Sequence, residues 1–255
     1  MPGRSFVLAE TTWQSVQQTQ YEVAILPWGA TEAHNYHLPY GTDVVETDFI
    51  ATESAQRAWE AGASVLVLPT IPFGVQTGQL DIPFCINMNP GTQAALLADV
   101  IDSLERHDVP KLVILNGHGG NDFKAMIREL QPNTSMLLCT INWWNCLDPR
   151  PFFERPGDHA GELETSVMLH AAPDLVLGLD TAGEGNERRS KVKAFREGWA
   201  WTPRPWTKIS SDTGVGNPKA ATVEKGKLFS KAVAERIASF LVELAATDPN
   251  ELYEK

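Results

Sequence analysis

The chain contains few cysteines, no long apolar run and no excess of positive charge. Its three cysteines, Cys85, Cys139 and Cys146, form no CxxC pair, which favours a reducing cytosol over a disulfide framework. No stretch approaches the ~18 continuous apolar residues of a membrane-spanning helix. Residues 1–6 lack the apolar core of a signal peptide, so we expect a cytoplasmic protein.

The formal net charge is −11 over 255 residues. Nucleic acid and anionic membrane surfaces both require a basic face on their protein partners. The charge therefore argues against both partners, and we expect a small-molecule ligand instead. Hydrophobic residues make up 43% of the chain, enough for a buried core, and α/β folds of this length routinely form one unit. We therefore expect a single domain over residues 1–255.

Short apolar runs alternate with longer amphipathic runs along the chain. The apolar runs are rich in Val, Ile and Leu, which suits strands of a sheet covered on both faces, and they span 22–27, 64–68, 111–116 and 135–141. Helical patterns cover 45–61, 92–107, 122–130, 163–171 and 222–246. This alternation predicts a three-layer α/β/α fold with a mostly parallel central sheet.

A polar segment rich in glycine and proline spans residues 181–218. It is too long for a plain connector inside a compact domain. We expect it to form a lid, a hairpin or a contact between subunits.

Two turn-rich loops carry the residue types that suit metal-dependent hydrolysis. Glu32 and His34 are two residues apart, so in extended backbone they face the same side, and Asp43 follows after a turn and just before a helix. His118 comes directly after an apolar strand, and loops at the carboxyl ends of parallel strands converge. Carboxylates and imidazoles without thiolates are the donors of hydrolytic Zn, Mn or Fe sites. The pattern predicts a metal-dependent hydrolase.

Other interpretations of these residues stay open. The glycine-rich loop 117–121 could bind phosphate at a helix N-terminus, although it lacks the Lys-Ser/Thr pair of a P-loop. A single histidine near a strand end is more often structural than a ligand. The pair Trp143 and Trp144 could line a pocket or serve burial and an interface.

A third cluster of titratable residues precedes the predicted helix at 163–171. Acids at a helix start are favoured by the helix dipole, which accounts for Glu162. Glu162 and Glu164 do not face each other on a helix, so at most one of them needs to face a site. The dipole does not account for His159 beside Asp158, which suggests a catalytic role for this pair.

These motifs resemble those of the creatininase, or creatinine amidohydrolase, family. The matching stretches follow the same order over nearly the whole chain: residues 26–43, 90–92, 116–121, 159–166 and 214–226. The resemblance implies a creatininase-like α/β fold and two divalent metal ions per subunit, zinc first, with manganese or iron as alternatives. It also implies a homohexamer, with 181–218 as a contact.

The resemblance further implies which residues hold the two ions. Glu32, Asp43 and His118 would hold one ion, and His34 and Asp43 the other, so that Asp43 bridges. Glu164 would complete the second ligand set or support it from outside.

Two positions depart from the family pattern. Creatinine hydrolases carry a glutamate that ligates the second metal two residues beyond the motif histidine, where this chain has Gly120, which could open space for another substrate group. Gln79 stands where many members have histidine. The family also includes formamide deformylases and a peptide-processing enzyme. We therefore expect creatinine to be a poor substrate.

The expected reaction is hydrolysis of a non-peptide C–N bond in a cyclic amide or a formamide by a metal-activated hydroxide. His159 would donate a proton to the leaving nitrogen, and Asp158 would orient His159. Two alternatives remain: a metal- or metabolite-binding protein without turnover, and a peptide-processing hydrolase of the same family.

Overall fold

Four strands form a central sheet in this computed structural model, which describes residues 3–254. The described part does not include residues 1, 2 and 255. The first two belong to the N-terminal stretch considered above, and the third ends the predicted 1–255 domain. The spatial order is β2-β1-β3-β4 and every pair is parallel. The strands are β1 (Val23–Trp28), β2 (Val65–Val67), β3 (Lys111–Asn116) and β4 (Leu137–Asn142).

Helices follow the strands in chain order. Side-chain caps from Thr12, Asp122 and Thr222 start three of them, and Pro90 occupies the first position of another. The helices are α1 (Trp13–Gln17), α2 (Thr42–Glu60), α3 (Pro90–Glu105), α4 (Phe123–Leu130), α5 (Glu162–Ala171), α6 (Lys193–Arg196), α7 (Trp206–Ile209) and α8 (Val223–Ala246).

Alternate residues of the strands pack into two separate cores. Ile25 and Val113 face a core that includes Phe229 of α8 and side chains of α2. Leu26 faces the other core with Leu97 of α3, and side chains of α4 complete it. The sheet is therefore covered on both faces, and the predicted three-layer α/β/α class is confirmed.

The predicted boundaries differ from the observed ones by a few residues. The largest difference is at α2, which begins at Thr42 rather than at residue 45, so that Asp43 lies in its first turn. The positive end of the helix dipole favours an ionised carboxylate at this position. The shift therefore places Asp43 on a rigid element.

The strand order creates a crevice at the carboxyl edge of the sheet. The chain leaves β1 through α2 to reach β2 on one side, and returns through α3 to β3 on the other side of β1. Where the connections from two neighbouring parallel strands leave toward opposite sides of the sheet, the loops that follow the strands separate. The gap between these loops leaves room for a ligand. The loops after β1 and β3 carry the predicted metal-binding residues.

The segment 181–218 contains the short helices α6 and α7 and, among the described residues, no strand. It is tied to the loop after β1 by contacts of Asn35, whose amide donates to the carbonyl of Gly183 at 3.1 Å. The segment thus lies over the carboxyl edge of the sheet. Its roles as a lid or subunit contact stay predictions. In the described part of the chain, every helix is too short or too polar to cross a membrane.

Candidate metal centre

Three side chains from separate parts of the chain meet at the carboxyl edge of the sheet. Glu32 lies in the loop after β1, Asp43 in the first turn of α2, and His118 in the loop after β3. The His118 Nδ1 atom lies 2.8 Å from Glu32 Oε1 and 3.0 Å from Asp43 Oδ2. All three are buried. Their donor atoms lie within 4.8 Å of one another, so they form one candidate metal-binding group.

A second candidate group shares Asp43. It contains His34, whose Nε2 lies 3.0 Å from Asp43 Oδ1, and Glu164 in the first turn of α5. Ala160 has a left-handed φ of 51°, and its N–H donates to the Glu164 carboxylate. Each carboxylate oxygen of Asp43 therefore faces a different histidine, which is the arrangement of a bridging ligand.

The neighbouring acid Glu162 has a different environment. It accepts hydrogen bonds from the Lys225 ammonium group at 2.5 Å and from the backbone N–H of Arg155 at 2.8 Å. Because residues two apart on a helix point in different directions, Glu162 faces α8 while Glu164 faces the cluster. Glu162 is a structural residue that ties α5 to α8.

Backbone carbonyls hold the histidines of the site. Nδ1 of His34 lies 3.1 Å from the carbonyl of Glu32, and Nε2 of His118 lies 3.0 Å from the carbonyl of Val75. A carbonyl oxygen can only accept, so each of these nitrogens carries the proton. The other nitrogen of each ring therefore faces the carboxylates, as in metal sites whose histidines are held by a carbonyl.

The electrostatics of the cluster suit cations. Burial alone would lower the pKa of His34, but the charge and hydrogen bond of Asp43 outweigh burial and raise that pKa to about 10. Burial also opposes the charged form of His118, yet Glu32 and Asp43 raise its pKa well above the usual value. Asp43 Oδ2 is buried without a hydrogen bond. Divalent cations would supply the same positive charge to these donors, so the residues fit a metal centre.

His159 lies beside the two groups, but Asp158 does not orient it. The His159 Nε2–H donates to the carbonyl of Ala33 at 2.8 Å, and its Nδ1 lies 3.9 Å from Glu32 Oε1. The Asp158 carboxylate instead pairs with Arg204 at 2.5 Å. His159 forms a backbone bridge with Val215, and its ring is directed to Ala33 while the Asp158 side chain is directed to Arg204. The expected Asp158–His159 contact is therefore replaced by Ala33.

His159 is also stacked between two rings. Its ring centroid lies 4.1 Å from that of His34 and 4.6 Å from that of Trp206 in α7. The Arg204 guanidinium lies 4.9 Å from the Trp206 ring on the same segment. Neither Trp206 nor Arg204 was predicted from the sequence, because their contacts join positions about 50 residues apart. His159, Glu32 and His34 also form a third group of donors within 4.8 Å.

A cavity of about 290 Å³ opens above the cluster. Glu32, Asp43, His118, His159 and Glu164 contribute to its floor. Its walls and rim are aromatic, and both candidate tryptophans of the sequence contribute to them, together with residues of the segment 181–218: Trp143, Trp144, Trp201, Pro203, Arg204 and Trp206. The cavity can therefore hold a small, flat molecule next to the cluster.

Gly120 lines the cavity beside Val75 and His118. A Cβ atom built there would meet the carbonyl oxygen of Val75 and the ring of His118, so a side chain at this position would require one of them to move. The expectation that the glycine admits another substrate group stays a prediction. The location also places residue 120 beside the Glu32–Asp43–His118 group rather than the group that contains His34.

Gln79 holds one of the candidate ligands. Its side-chain amide is fully buried and donates to Glu32 Oε2, while its oxygen accepts from the Cys85 thiol at 3.2 Å. Glu32 Oε1 is thereby left to face His118. An amide that fixes one carboxylate oxygen orients the other toward the cluster.

Comparison with known proteins identifies the family of the chain. The family model for creatininase, creatinine amidohydrolase, matches residues 9–241. The chain belongs to the creatininase family. A solved structure from Bacteroides fragilis NCTC 9343, provisionally named a creatinine amidohydrolase, is 44% identical, with a TM-score of 0.92 over 98% of this chain and 99% of that one. Two solved creatininases at 24% identity and TM-score 0.79, each over 96% of this chain and 100% of the other, are a Zn-Zn type mutant and a Mn form.

Members of the creatininase family with similar sequences differ in substrate. A creatinine amidohydrolase of Pseudomonas putida is 26% identical over 94% of this chain and 98% of its own length. A mycofactocin precursor peptide peptidase of Mycobacterium ulcerans is 27% identical, over 89% and 85%. A formylamino-pyrimidine deformylase of Methanothermobacter marburgensis is 26% identical, over 72% and 82%. The family places this chain among hydrolases of non-peptide or peptide-like amides.

Proposed function

We propose that this chain is a binuclear metal-dependent amidohydrolase that cleaves a non-peptide C–N bond in a cyclic amide or a formamide. The observation that carries the proposal is the pair of donor groups that share Asp43 at the floor of the cavity. Glu32, Asp43 and His118 would hold one ion, and His34, Asp43 and Glu164 the other. Oxygen and nitrogen donors without thiolates favour zinc, with manganese or iron as alternatives.

The protein and its ions have separate tasks in this reaction. Divalent cations bound here would polarise the scissile carbonyl and lower the pKa of water toward ~7. Gln79 keeps Glu32 in one orientation, and the carbonyl of Val75 does the same for His118. Aromatic side chains line the substrate side of the cavity. These residues keep the ligands in place before substrate arrives, which reduces reorganisation during the reaction.

His159 is the proposed proton donor for the leaving nitrogen. Its ring is fixed by the carbonyl of Ala33 on one edge and by the Trp206 ring on one face, while Nδ1 is directed toward the floor of the cavity. Because Nε2–H is held by Ala33, Nδ1 would take up the proton released by the attacking water and then deliver that proton to the departing amine. Asp158 contributes indirectly, because it holds Arg204 against Trp206.

The cavity favours a small planar amide over a peptide. Trp206 lines its rim, and the Asp158–Arg204 pair borders the mouth through which a longer chain would have to pass. The similarity to mycobacterial peptide peptidases makes peptide cleavage the second candidate. Creatinine itself is expected to react poorly.

A substrate panel tests the proposal. The purified full chain would be freed of metal, reconstituted with Zn²⁺ or Mn²⁺, and assayed with creatinine, creatine, hydantoins, formamides and short peptides. We expect metal-dependent turnover of a formamide or cyclic amide. Efficient creatinine hydrolysis, at about 10⁴ M⁻¹s⁻¹ or more, would contradict the expectation that creatinine reacts poorly and would show that Gly120 does not mark specificity. Peptide cleavage alone would replace it with the second candidate, and failure to bind metal would refute the proposal.

A further inference from the structure

Glu46 is a buried acid that has no partner. It lies on α2, one turn after Asp43, with 0% of its surface exposed. Neither carboxylate oxygen makes a hydrogen bond, and within residues 3–254 no Lys, Arg or His forms an ion pair with it. Residues three apart on a helix share a face, so Glu46 follows Asp43 along the side of α2 that bounds the site.

Two buried acids outside the candidate metal centre are satisfied. Glu162 has Lys225 and two backbone N–H groups, and Asp212 accepts from the Ser210 hydroxyl and the backbone of Gly214. Leaving a buried polar group without a partner costs roughly 1–3 kcal/mol, and a charged one costs more. The isolation of Glu46 is therefore a local exception that requires a reason.

The groups near Glu46 are themselves acidic. Burial raises the pKa of Glu46 well above its usual value, and the negative charges of Glu164 and Asp43 raise it further. These two residues belong to the candidate group that also contains His34. The positive charge of His34 is directed to Asp43 at 3.0 Å and forms no ion pair with Glu46, so a bound cation would provide the positive charge that Glu46 lacks.

A count of the charges in the proposed metal centre also points to Glu46. The two groups that would hold the ions contain three carboxylates, from Glu32, Asp43 and Glu164, whereas two divalent ions carry four positive charges. The histidines add none when they are neutral. A buried centre is most stable when its charges balance, because uncompensated charge is expensive in a low-dielectric interior. When the ions hold neutral water, Glu46 is the available fourth carboxylate; during the reaction a metal-activated hydroxide would supply the same charge.

We propose that Glu46 supplies the fourth negative charge of the metal centre and strengthens binding of the ion held by His34, Asp43 and Glu164. This inference rests on the proposed function. Glu46 acts from outside the ligand set, since among residues 3–254 no group with donor atoms within 4.8 Å includes it. Groups outside the direct ligands commonly change metal affinity by about 10- to 100-fold.

Two substitutions of Glu46 and one control test this inference in the full chain. Glu46→Gln keeps the shape and removes the charge, whereas Glu46→Met removes the polar atoms. Glu60→Gln is the control, because Glu60 is an exposed residue of the same helix and accepts a hydrogen bond from Gln56. Zn²⁺ or Mn²⁺ affinity would be measured by competition with a chelator, and Tm would be measured with and without metal.

We expect both Glu46 variants to bind one of the two ions about 10- to 100-fold more weakly, while Glu60→Gln binds both normally. Without metal, Glu46→Met should melt no lower than the wild type, because an unpartnered acid is gone, and its gain in Tm on adding metal should shrink. If Glu46 has only a structural role, Glu46→Met should show the reverse: a lower Tm without metal and an unchanged gain in Tm on adding metal.

Two results are distinguishable failures. If the wild type binds two ions and both Glu46 variants bind them with wild-type affinity, the inference about Glu46 is overturned while the proposed function stands. If the wild type itself binds no divalent ion, the proposed function fails and the inference fails with it. Should Glu46→Gln not fold, the Glu46→Met measurements decide alone.

Discussion

In the floor of the cavity, the side chains of Glu32, Asp43 and His118 are buried and contact one another, whereas exposed side chains of the segment 181–218 form much of the rim. Trp201 on the rim is 83% exposed. The rim pair Arg204–Asp158 joins two side chains that are each about half exposed. Exposed ion pairs contribute little stability, while buried, bonded groups are costly to disturb.

This difference separates two properties of the enzyme. On the proposed function, the floor would determine whether ions bind and which reaction is supported, because its donors come from the ends of β1 and β3 and from α2. The rim determines which molecules reach the floor, and it can change without disturbing either core. We therefore expect substitutions in the floor to abolish metal binding or turnover, and substitutions in the rim to alter substrate affinity.

The largest effect is expected from the bridging carboxylate. Asp43→Ala should lose both ions, whereas His34→Ala should lose one, because each oxygen of Asp43 faces a different group. Metal content after desalting, measured by mass spectrometry, distinguishes them. Circular dichroism controls for folding, since the core is large enough to fold without metal. Full stoichiometry in Asp43→Ala would refute the bridge.

Removing the proposed proton donor tests the floor without touching the two ligand sets. His159→Ala should retain both ions and lose about 10²- to 10⁴-fold in turnover, because the leaving nitrogen is no longer protonated. Substrates with a better leaving nitrogen should be partly rescued. If the variant loses an ion, His159 is a ligand, as its group with Glu32 and His34 would allow.

Two adjacent glycines provide a matched pair at the edge of the floor. In Gly120→Ala the new Cβ would push against Val75 and His118, which should destabilise the fold by about 1–3 kcal/mol and weaken one ion. In Gly119→Ala the Cβ meets nothing within 4 Å, so stability should change by less than about 0.5 kcal/mol. Denaturant unfolding and metal titration measure both. Equal behaviour would mean that His118 can shift freely.

The smallest effect is expected at the rim. Arg204→Gln removes the pair with Asp158 and the contact with Trp206, so KM should change by less than about tenfold while kcat and metal content stay near wild type. Arg150→Gln is the control, because Arg150 forms a similar exposed pair with Asp148 outside the cavity. A large fall in kcat would instead assign Arg204 a role in positioning His159.

The sequence predicted the fold and the identity of the cluster better than its surroundings. The strand at Lys111–Asn116 was predicted to the residue, because a continuous apolar run bounded by polar residues is a local signal. Glu32 and His34 were recognisable for a similar reason, since their spacing and loop lie within a few residues. Such signals do not depend on the rest of the chain.

Contacts between distant positions gave no such signal. Gln79 donates to Glu32 across 47 positions, and Arg204 pairs with Asp158 across a similar separation. Glu46 lies in the helix predicted over 45–61, and the local pattern gives no sign that this acid is buried. The prediction that Asp158 orients His159 failed for the opposite reason. It relied on adjacency in sequence, but the Asp158 carboxylate pairs with Arg204 and His159 donates to Ala33.

The carbonyls that hold His34, His118 and His159 have a consequence for how this site varies between relatives. Each outer hydrogen bond ends on main chain, which no side-chain replacement can delete. Val75→Ala should therefore leave the hydrogen bond to His118 in place, whereas Glu32→Ala would keep the carbonyl that holds His34 but remove a proposed ligand. Vulnerable positions are those that move the main chain or the ring itself, such as Gly74, where a Cβ would meet the His118 ring at 2.7 Å. Two neighbouring positions beside His118 should therefore differ sharply: Val75 should tolerate a change of side chain, and Gly74 should not.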